Sequence, residues 1–259
     1  VRIEPHLLPP RPPADNSAST AVAGSGQLTN HGGPVMKNPV TVHPIYWGTG
    51  ATSLAAGIDS GIRQFYSDYS SSSYAGIEVQ YGSSTSLPTI AASVTDSNAA
   101  NTQTSKVLQA VQRAITSGKT TVSATDDVDY YPVYSDLARG GRSYCAWHSY
   151  GTVSDTAGKK HVIEFAFFFS LTNDPGCAVT PTSNGYSNQV QNLANVSAHE
   201  LAEAMTDPHL DAWYDAAGYE NGDKCGWYFN PNGGTVTLGA HKWAIQGEYS
   251  NSISNCSWG

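Results

Sequence analysis

The sequence predicts an α/β (α+β) protein with a mixed sheet, one helix that carries the candidate site, and a loop-rich C-terminal part. Two observations predict this class. Short segments rich in β-branched and aromatic residues alternate with longer segments whose apolar residues recur at helical spacing. Residues 165–169, with the sequence FAFFF, are apolar at every position, which is typical of a central strand that is covered on both faces.

The chain begins with a segment that we expect to lie outside the folded domain. Residues 1–30 contain the Pro-rich run PHLLPPRPPAD and then small polar residues, without apolar periodicity. We therefore predict a flexible N-terminal tail over 1–30, or the remnant of a propeptide, and a single catalytic domain over 31–259.

The first half of this domain predicts strand, helix, strand and helix in that order. The run VTVHPIYWG predicts a buried strand, and apolar residues then recur at helical spacing from 54 to 69. The segment GIEVQYG, residues 76–82, predicts a second strand. Val107, Val111 and Ile115 align on one face of a second helix, which we expect to end at Gly118.

The second half predicts three more strands before the helix of interest. Their sequences are VDYYPVYS, SYCAWHSY and KHVIEFAFFFS. A loop rich in Gly, Pro and Asn then leads to a helix that contains VSAHELAEAMTDPH, residues 196–209. Aromatic-rich loops and a last strand, HKWAIQGEYS, complete the chain.

Composition excludes some partners and indicates a compartment. The net charge is −8 and no segment clusters Lys and Arg, so nucleic acids and anionic membranes are not expected partners. Only 13% of residues are charged, and the four cysteines form no CxxC pair, which favours a secreted protein with two disulfides over a cytosolic protein with four free thiols. We also expect a monomer. Of the three connectivities, we favour Cys145–Cys177 with Cys225–Cys256 because each closes a short loop.

The helix at 196–209 places one His and two Glu residues at a spacing that zinc peptidases use. His199 and Glu203 lie about 40° apart around the helix, roughly opposite its apolar face. We therefore expect the apolar face to dock on the sheet and the His/Glu pair to point away from it. His199 and Glu203 would bind zinc, and Glu200 would act as the general base on the water that the metal activates. The alternative is a solvated helix face with ordinary Glu residues.

A third zinc ligand is expected downstream of this helix. Glu220 follows Glu203 at a spacing close to that of glutamate-type zincins, and Asp223 would support it. The competing third ligand is His209, at the metzincin spacing, but the Gly and the Met-turn of that group are absent.

Two further Asp residues have a local and a metal-binding interpretation. Asp207 and Asp211 would end the helix and cap the next turn. Together with Glu220 and Asp223 they would alternatively form an all-oxygen calcium site, which leaves zinc and calcium both open as the metal.

The order of strands and helices before the motif is that of a zincin-like catalytic subdomain, in which an edge strand binds extended peptide above the metal.

Several segments also resemble the Exordium, or phosphate-induced protein, family of plant cell walls, bacteria and fungi. These segments are HGGPVMKNPVTVHPIYWG, CAWHS, VSAHELAE, DPHLDAWYD and ENGDKC. The resemblance implies an extracellular location, disfavours His209, and includes six matching residues: His148, His199, Glu200, Glu203, Glu220 and Asp223.

Two functions are compatible with these observations. The first is a secreted zinc metalloendopeptidase that acts on protein or peptide substrates. The second is a non-catalytic extracellular protein of the Exordium type that binds cell-wall carbohydrate or takes part in signalling. His148 would be a ligand, an oxyanion donor or a core histidine, and Tyr214 would line a substrate subsite or pack in an aromatic core.

Overall fold

The computed structural model describes residues 6–12, 26–37, 39–70, 72–83 and 89–259. The α-helices of this part of the chain are α1 (Ala51–Tyr69), α2 (Thr104–Thr116), α3 (Asn188–Thr206) and α4 (Asn221–Lys224), and two 3₁₀ helices span Ala75–Tyr81 and Pro175–Cys177. The strands in the first half are β1 (His6–Leu8), β2 (Thr29–Asn30), β3 (Thr41–Val42), β4 (Ile45–Trp47), β5 (Thr89–Ile90) and β6 (Val94–Asp96). The later strands are β7 (Asp129–Ala138), β8 (Ala146–Ser154), β9 (Lys160–Ser170), β10 (Trp213–Tyr214), β11 (Val236–Leu238), β12 (His241–Trp243), β13 (Glu248–Ser250) and β14 (Asn255–Ser257).

A mixed sheet of eight strands organises these elements. Its main path is β1-β8-β9-β7-β3-β5, and β4 pairs with both β7 and β6. Strands β7 and β9 are parallel, whereas β8 is antiparallel to β9 and β1 is antiparallel to β8. The α+β class with a mixed sheet and a loop-rich C-terminal part is confirmed, as are the three long strands and the central position of β9.

Helices cover both faces of the sheet. His148 on β8 contacts Glu200 of α3, and a Cβ built on Gly151 of the same strand would lie 2.6 Å from Leu108 of α2. Because side chains alternate along a strand, residues 148 and 151 point to opposite faces. Helix α3 therefore lies on one face and α2 on the other.

The predicted orientation of α3 is wrong. Every residue of α3 from 190 to 206 is buried, so the helix has no solvated face. Its apolar residue Val190 packs against α1, and its polar side meets the sheet, where Tyr134 Oη lies 2.8 Å from Ser197 Oγ. The His/Glu pair therefore lies in the interior, because buried polar groups of neighbouring elements are available to pair with it.

The predicted strand at 76–82 is also wrong, since residues 75–81 form a 3₁₀ helix. The N–H of Gly82 bonds to the carbonyl of Val79, and Gly82 turns the chain at φ 89°. Glu78 is buried within this helix and accepts a hydrogen bond from Tyr69 Oη at 2.9 Å. The apolar alternation of GIEVQYG thus reflects burial of one side of a tight turn. The strands predicted at the start and end of the domain are each divided in two, as β3 with β4 and β12 with β13.

Part of the predicted N-terminal tail belongs to the fold. Residues 6–8 form β1, which pairs with residues 146–148 of β8 in the register His6 with His148 and Leu8 with Ala146. Leu8 is 1% exposed and joins the main core. The tail prediction is therefore wrong for this stretch, because the Pro-rich composition concealed one short pairing segment. It is also wrong for Thr29–Asn30, which form β2 and pair with β10. Residues 1–5 and 13–25 lie outside the described residues.

Both predicted disulfides are present, as Cys145–Cys177 and Cys225–Cys256, and no cysteine is free. Disulfides of this kind persist in oxidising compartments. Within the described residues, no helix has the length and apolar character needed to cross a membrane.

Candidate functional site

Helix α3 carries three of the candidate residues, and side chains fix both of its ends. Ser187 is the N-cap, and its Oγ accepts a hydrogen bond from the N–H of Val190 at 3.3 Å. At the other end, Asp207 accepts from the N–H groups of Asp211 and Ala212 at 2.7 and 2.6 Å. Asp207 therefore stabilises the turn that follows the helix.

Four elements meet at one buried place, and we call the side chains there the donor cluster. Its members are His6 from β1, His148 from β8, His199, Glu200 and Glu203 from α3, and Glu220 and Asp223 from the start of α4. His148 and the three residues of α3 have no exposed surface. The side chain of His6 is 26% exposed, so the accessible edge of the cluster lies at this residue.

Glu203 occupies the centre of the donor cluster. Its Oε2 lies 3.3 Å from His6 Nδ1 and 3.4 Å from His148 Nδ1. Its Oε1 lies 3.0 Å from His199 Nε2 and accepts a hydrogen bond from the N–H of Asp223 at 3.0 Å. The two oxygens of one carboxylate thus face two different groups of side chains.

Helix α4 positions the two remaining carboxylates. Glu220 is its N-cap and forms a capping box with Asp223, so each side chain bonds to the backbone of the other. Glu220 Oε1 lies 3.5 Å from His6 Nδ1, and Glu220 Oε2 lies 3.7 Å from His148 Nε2. Asp223 Oδ2 lies 3.1 Å from His6 Nε2. Both carboxylates predicted from the ENGD segment therefore reach the cluster.

Several atoms of the donor cluster are buried without a hydrogen-bond partner among the described residues. They are His148 Nε2, Glu200 Oε1 and Glu220 Oε2. Buried polar atoms are normally paired, so a convergent set of unpaired nitrogen and oxygen atoms fits a cation. His148 has the hydrogen-bond pattern of a metal ligand, because its Nδ1 lies 3.2 Å from Glu200 Oε2 and its Nε2 is left for another partner.

The environment of His199 gives its ring a different role. Gln246 Oε1 accepts from the N–H of Trp227 at 3.2 Å, and Gln246 Nε2 donates to the carbonyl of Gly222 at 2.7 Å. These two bonds fix the amide so that Nε2 also donates to His199 Nδ1 at 3.0 Å. The proton of the neutral ring is then on Nε2, which faces Glu203. His199 is thus arranged as a donor to Glu203.

Burial and mutual charge shift the pKa values of this cluster in opposite directions. Burial opposes a charge on His148, but the negative charge of Glu220 and hydrogen bonds to Glu200 and Glu203 raise its pKa well above the ordinary value. Burial raises the pKa of Glu220 well above its ordinary value. The pKa of Glu203 is well below its ordinary value despite burial, because the charge of His199 and hydrogen bonds from the histidines outweigh it. In the absence of a cation the cluster therefore retains protons, and a divalent cation would displace them.

The donor set fits a transition metal better than calcium. Ligand atoms within 4.8 Å of one another form one group from His6, His148, Glu203 and Glu220, and another from His199, Glu203 and Asp223. Both groups contain imidazole nitrogen, which zinc prefers and calcium does not. The three ligands predicted from the sequence are divided between the two groups, and Glu203 belongs to both.

Two of the other candidates lie in different surroundings. His209 Nε2 lies 2.9 Å from Asp127 Oδ1 and 3.7 Å from Glu164 Oε1, and its ring stacks on Tyr150. Tyr214 lies in β10, where its ring stacks on His31 at 3.7 Å. Neither side chain is part of the donor cluster.

Sequence reasoning missed two residues of this site, His6 and Gln246. Neither lies in a recognisable motif, and each is brought to the cluster only by the tertiary fold. Comparison of the chain with models of known protein families and with curated proteins finds no match.

Proposed function

We propose that this chain is a secreted zinc-dependent endopeptidase. The observation that carries the proposal is the set of buried, unpartnered donor atoms around Glu203, on a helix with the sequence HELAE. Imidazole and carboxylate groups together are usual ligands of catalytic zinc. The two disulfides support export, and the position of α3 against a mixed sheet supports a zincin-like arrangement.

The residues of the cluster divide between metal binding and proton transfer. His148 would hold the metal through Nε2, together with Glu203 and Glu220, and His199 would orient Glu203. A bound zinc ion supplies a Lewis acid and lowers the pKa of a water molecule. Burial raises the pKa of Glu200, and its Oε1 has no hydrogen-bond partner in the part of the chain that the structure describes. This atom would accept the proton of the attacking water and deliver it to the leaving amine.

Peptide is the substrate class that the surroundings of the cluster favour. The cluster lies beside residues 146–148 of β8, whose outer side forms backbone hydrogen bonds with an extended segment. Backbone pairing at a sheet edge is a general mode of binding extended peptides.

The burial of the cluster favours a second candidate function. The residues at its centre have no exposed surface. Such burial is expected where a bound ion only stabilises the fold. In that case the chain would be a non-catalytic extracellular protein of the Exordium type that binds cell-wall carbohydrate or a receptor.

Two substitutions at neighbouring positions of α3 test the peptidase. Glu200→Gln keeps shape and hydrogen bonding but removes the base, so casein hydrolysis should fall by a factor of about 10² to 10⁴ while zinc is retained. Glu203→Gln should lose zinc together with activity, because an amide replaces an anionic ligand. Activity and bound zinc are measured on the full chain and on a chain cut after residue 13, because residues 6–8 pair with β8 and place His6 against the cluster.

The matched control is Glu78→Gln, which changes a fully buried Glu outside the cluster and should leave both readouts unchanged. Near-native hydrolysis by Glu200→Gln would contradict the role of Glu200. A protein that binds zinc but cleaves no casein in either form would favour the non-catalytic alternative.

A further inference from the structure

Strand β1 lies directly over the donor cluster. It forms the outer strand of the sheet beside β8, antiparallel and in continuous register over three residues. Without β1, residues 146–148 of β8 would present unpaired backbone groups next to Glu203 and Glu220, and such an edge accepts an extended chain. The chain's own residues thus occupy the sheet edge that a peptide would use.

His6 places an imidazole on the accessible side of the cluster. Its Nδ1 lies 3.3 Å from Glu203 Oε2, and its Nε2 lies 3.1 Å from Asp223 Oδ2. It also lies within 4.8 Å of the ligand atoms of His148, Glu203 and Glu220. A catalytic zinc site has three protein ligands and an open position for water or substrate, and His6 supplies a fourth donor.

A few hydrogen bonds to backbone atoms hold the end of β1 and the residues that follow it. The carbonyl of Leu8 accepts from the N–H of Cys145 at 2.7 Å, and the carbonyl of Pro9 accepts from Trp227 Nε1 at 2.8 Å. The N–H of Arg11 donates to the carbonyl of Gly176 at 2.7 Å. Prolines at 9, 10 and 12 lack the N–H that pairing requires, so the strand cannot extend beyond Leu8.

A groove separates the segment from the loop that follows β10. It has a volume of about 400 Å³ and lies between residues 6–12 and residues 217–227. One wall is therefore the segment itself, and its departure would widen the groove onto Asp223 and the donor cluster. A three-residue strand is short for independent stability, which is the property expected of a removable cover.

We propose that residues 6–12 are a blocking segment, in which β1 occupies the peptide-binding edge of β8 and His6 fills the open ligand position. This inference rests on the proposed peptidase function. It assigns His6 to the latent form alone, so that release of the segment leaves His148, Glu203 and Glu220 to hold the metal. An extended peptide would then bind antiparallel to β8 where His6–Leu8 now lies.

The test releases the segment and then returns it as a free peptide. A recognition sequence for a site-specific protease is inserted after residue 13 of the full chain, and the cut protein is separated from the released fragment. Casein hydrolysis should rise by about tenfold or more, with zinc content unchanged. A fluorescein-labelled peptide of residues 1–12 should bind the cut protein and inhibit it, and it is titrated up to about millimolar because a short tether supplies concentrations of that order.

Two peptide variants identify the contact that matters. His6→Ala should weaken binding by about tenfold or more, whereas Leu7→Ala should change it by about twofold or less, since the Leu7 side chain is 42% exposed. Fluorescence anisotropy of the labelled peptides measures both affinities independently of hydrolysis. Equal hydrolysis before and after cutting, with no peptide binding, would overturn the blocking segment and leave the peptidase standing.

Two other outcomes separate the inference from the function on which it rests. Loss of zinc on cutting would overturn the inference, because His6 would then be a required ligand. If the peptide binds in a His6-dependent way but neither the full chain nor the cut chain hydrolyses casein, the result would support the pairing of β1 with the edge of β8 and would contradict the peptidase function.

Discussion

The two imidazoles that face the carboxylate oxygens of Glu203 have different hydrogen-bond partners. Oε2 faces His148, whose Nδ1 lies 3.2 Å from Glu200 Oε2 and whose Nε2 has no hydrogen-bond partner among the described residues. Oε1 faces His199, whose Nδ1 accepts from Gln246. A nitrogen that carries a proton cannot bind a metal, so these hydrogen bonds favour His148 over His199 as a ligand of the proposed zinc site.

This difference predicts unequal effects of two histidine substitutions on zinc affinity. His148→Ala removes a ligand and should weaken binding by more than the 10- to 100-fold typical of changes in the groups that hold a ligand. His199→Gln keeps a donor beside Glu203 and should cost about tenfold. Competition with a chromophoric chelator measures both, and the unfolding midpoint of each variant verifies the fold. A larger loss for His199→Gln would restore the assignment made from the helix motif.

The sequence was informative for residues that lie in motifs and uninformative for the others. Helix periodicity in HELAE predicted Glu200 and Glu203, and the spacing from Glu203 to ENGD predicted Glu220 and Asp223. All four side chains reach the cluster. His6 was not predicted, since its partner Glu203 is 197 residues away in sequence. A lone His among prolines has no periodic signal, and its role arises only from pairing with β8.

At the scale of elements, the position of α3 depends on a close approach to α1. A Cβ built on Gly61 of α1 would lie 2.6 Å from Cγ1 and 2.9 Å from Cγ2 of Val190 on α3. Real Cβ atoms do not approach so closely, and the packed interior leaves little room for adjustment. Gly61 therefore sets the distance between the two helices. A Cβ built on Gly57 of the same helix would have no described residue within 4 Å.

Two glycine substitutions in α1 should consequently have opposite effects on stability. Gly61→Ala should lower the free energy of unfolding by about 1 to 3 kcal/mol, because overpacking outweighs the gain in helix propensity. Gly57→Ala, at an exposed position, should raise it by about 0.5 to 1 kcal/mol. Urea unfolding followed by circular dichroism measures both. Equal stabilisation by the two changes would show that α1 and α3 do not pack as closely as described.

The long elements followed from the sequence more closely than the short ones. Strand β9 and helix α3 have many residues that share one pattern, so local errors do not change the prediction. Residues 75–81 have the alternation of a strand but close on themselves at Gly82, and strand β1 has only three residues. In such short segments tertiary contacts, such as burial of Glu78, decide the conformation.

At the scale of the whole molecule, the two disulfides connect different parts of the fold to the site. Cys225 is the C-cap of α4, whose N-cap is Glu220, and its partner Cys256 lies in β14. Cys145 precedes β8 and donates its N–H to Leu8, and its partner is Cys177. The Cys225–Cys256 bridge is therefore next to the carboxylates of the proposed zinc site, and the Cys145–Cys177 bridge is next to the proposed blocking segment. We call them the first and the second bridge.

Removal of the two disulfides should cost similar stability but affect zinc differently. With sequence separations of 31 and 32, each bridge contributes about 3 to 4 kcal/mol in the chain-entropy model. Replacement of Cys225 and Cys256 by Ser should also weaken zinc binding, because α4 loses an anchor. Replacement of Cys145 and Cys177 should leave zinc affinity close to that of the parent. Unfolding and chelator competition are measured on both double variants, and equal zinc affinities would contradict the role given to the first bridge.

Stability of the whole chain should fall as pH rises through a range set partly by Glu78. Burial raises the pKa of Glu78 from 4.5 to about 8, although the hydrogen bond from Tyr69 acts in the opposite direction. The unfolded chain loses this proton near pH 4.5 and the folded chain retains it up to about pH 8, so between these values the folded state binds more protons. The free energy of unfolding therefore decreases across this window and levels off above it.

Glu78→Gln isolates this contribution, because the amide accepts the same hydrogen bond and does not titrate. The free energy of unfolding of the variant should match that of the parent near pH 4.5 and exceed it by a few kcal/mol at pH 8. This is the free energy that corresponds to a pKa shift from 4.5 to about 8. Other buried acids, among them Glu248, also contribute to the slope of the parent, so the comparison is the difference between the two proteins at each pH. Urea unfolding from pH 4.5 to 8.5 measures it. If the difference stays constant across this range, Glu78 is ionised in the folded protein, and groups in addition to the Tyr69 hydroxyl stabilise its carboxylate.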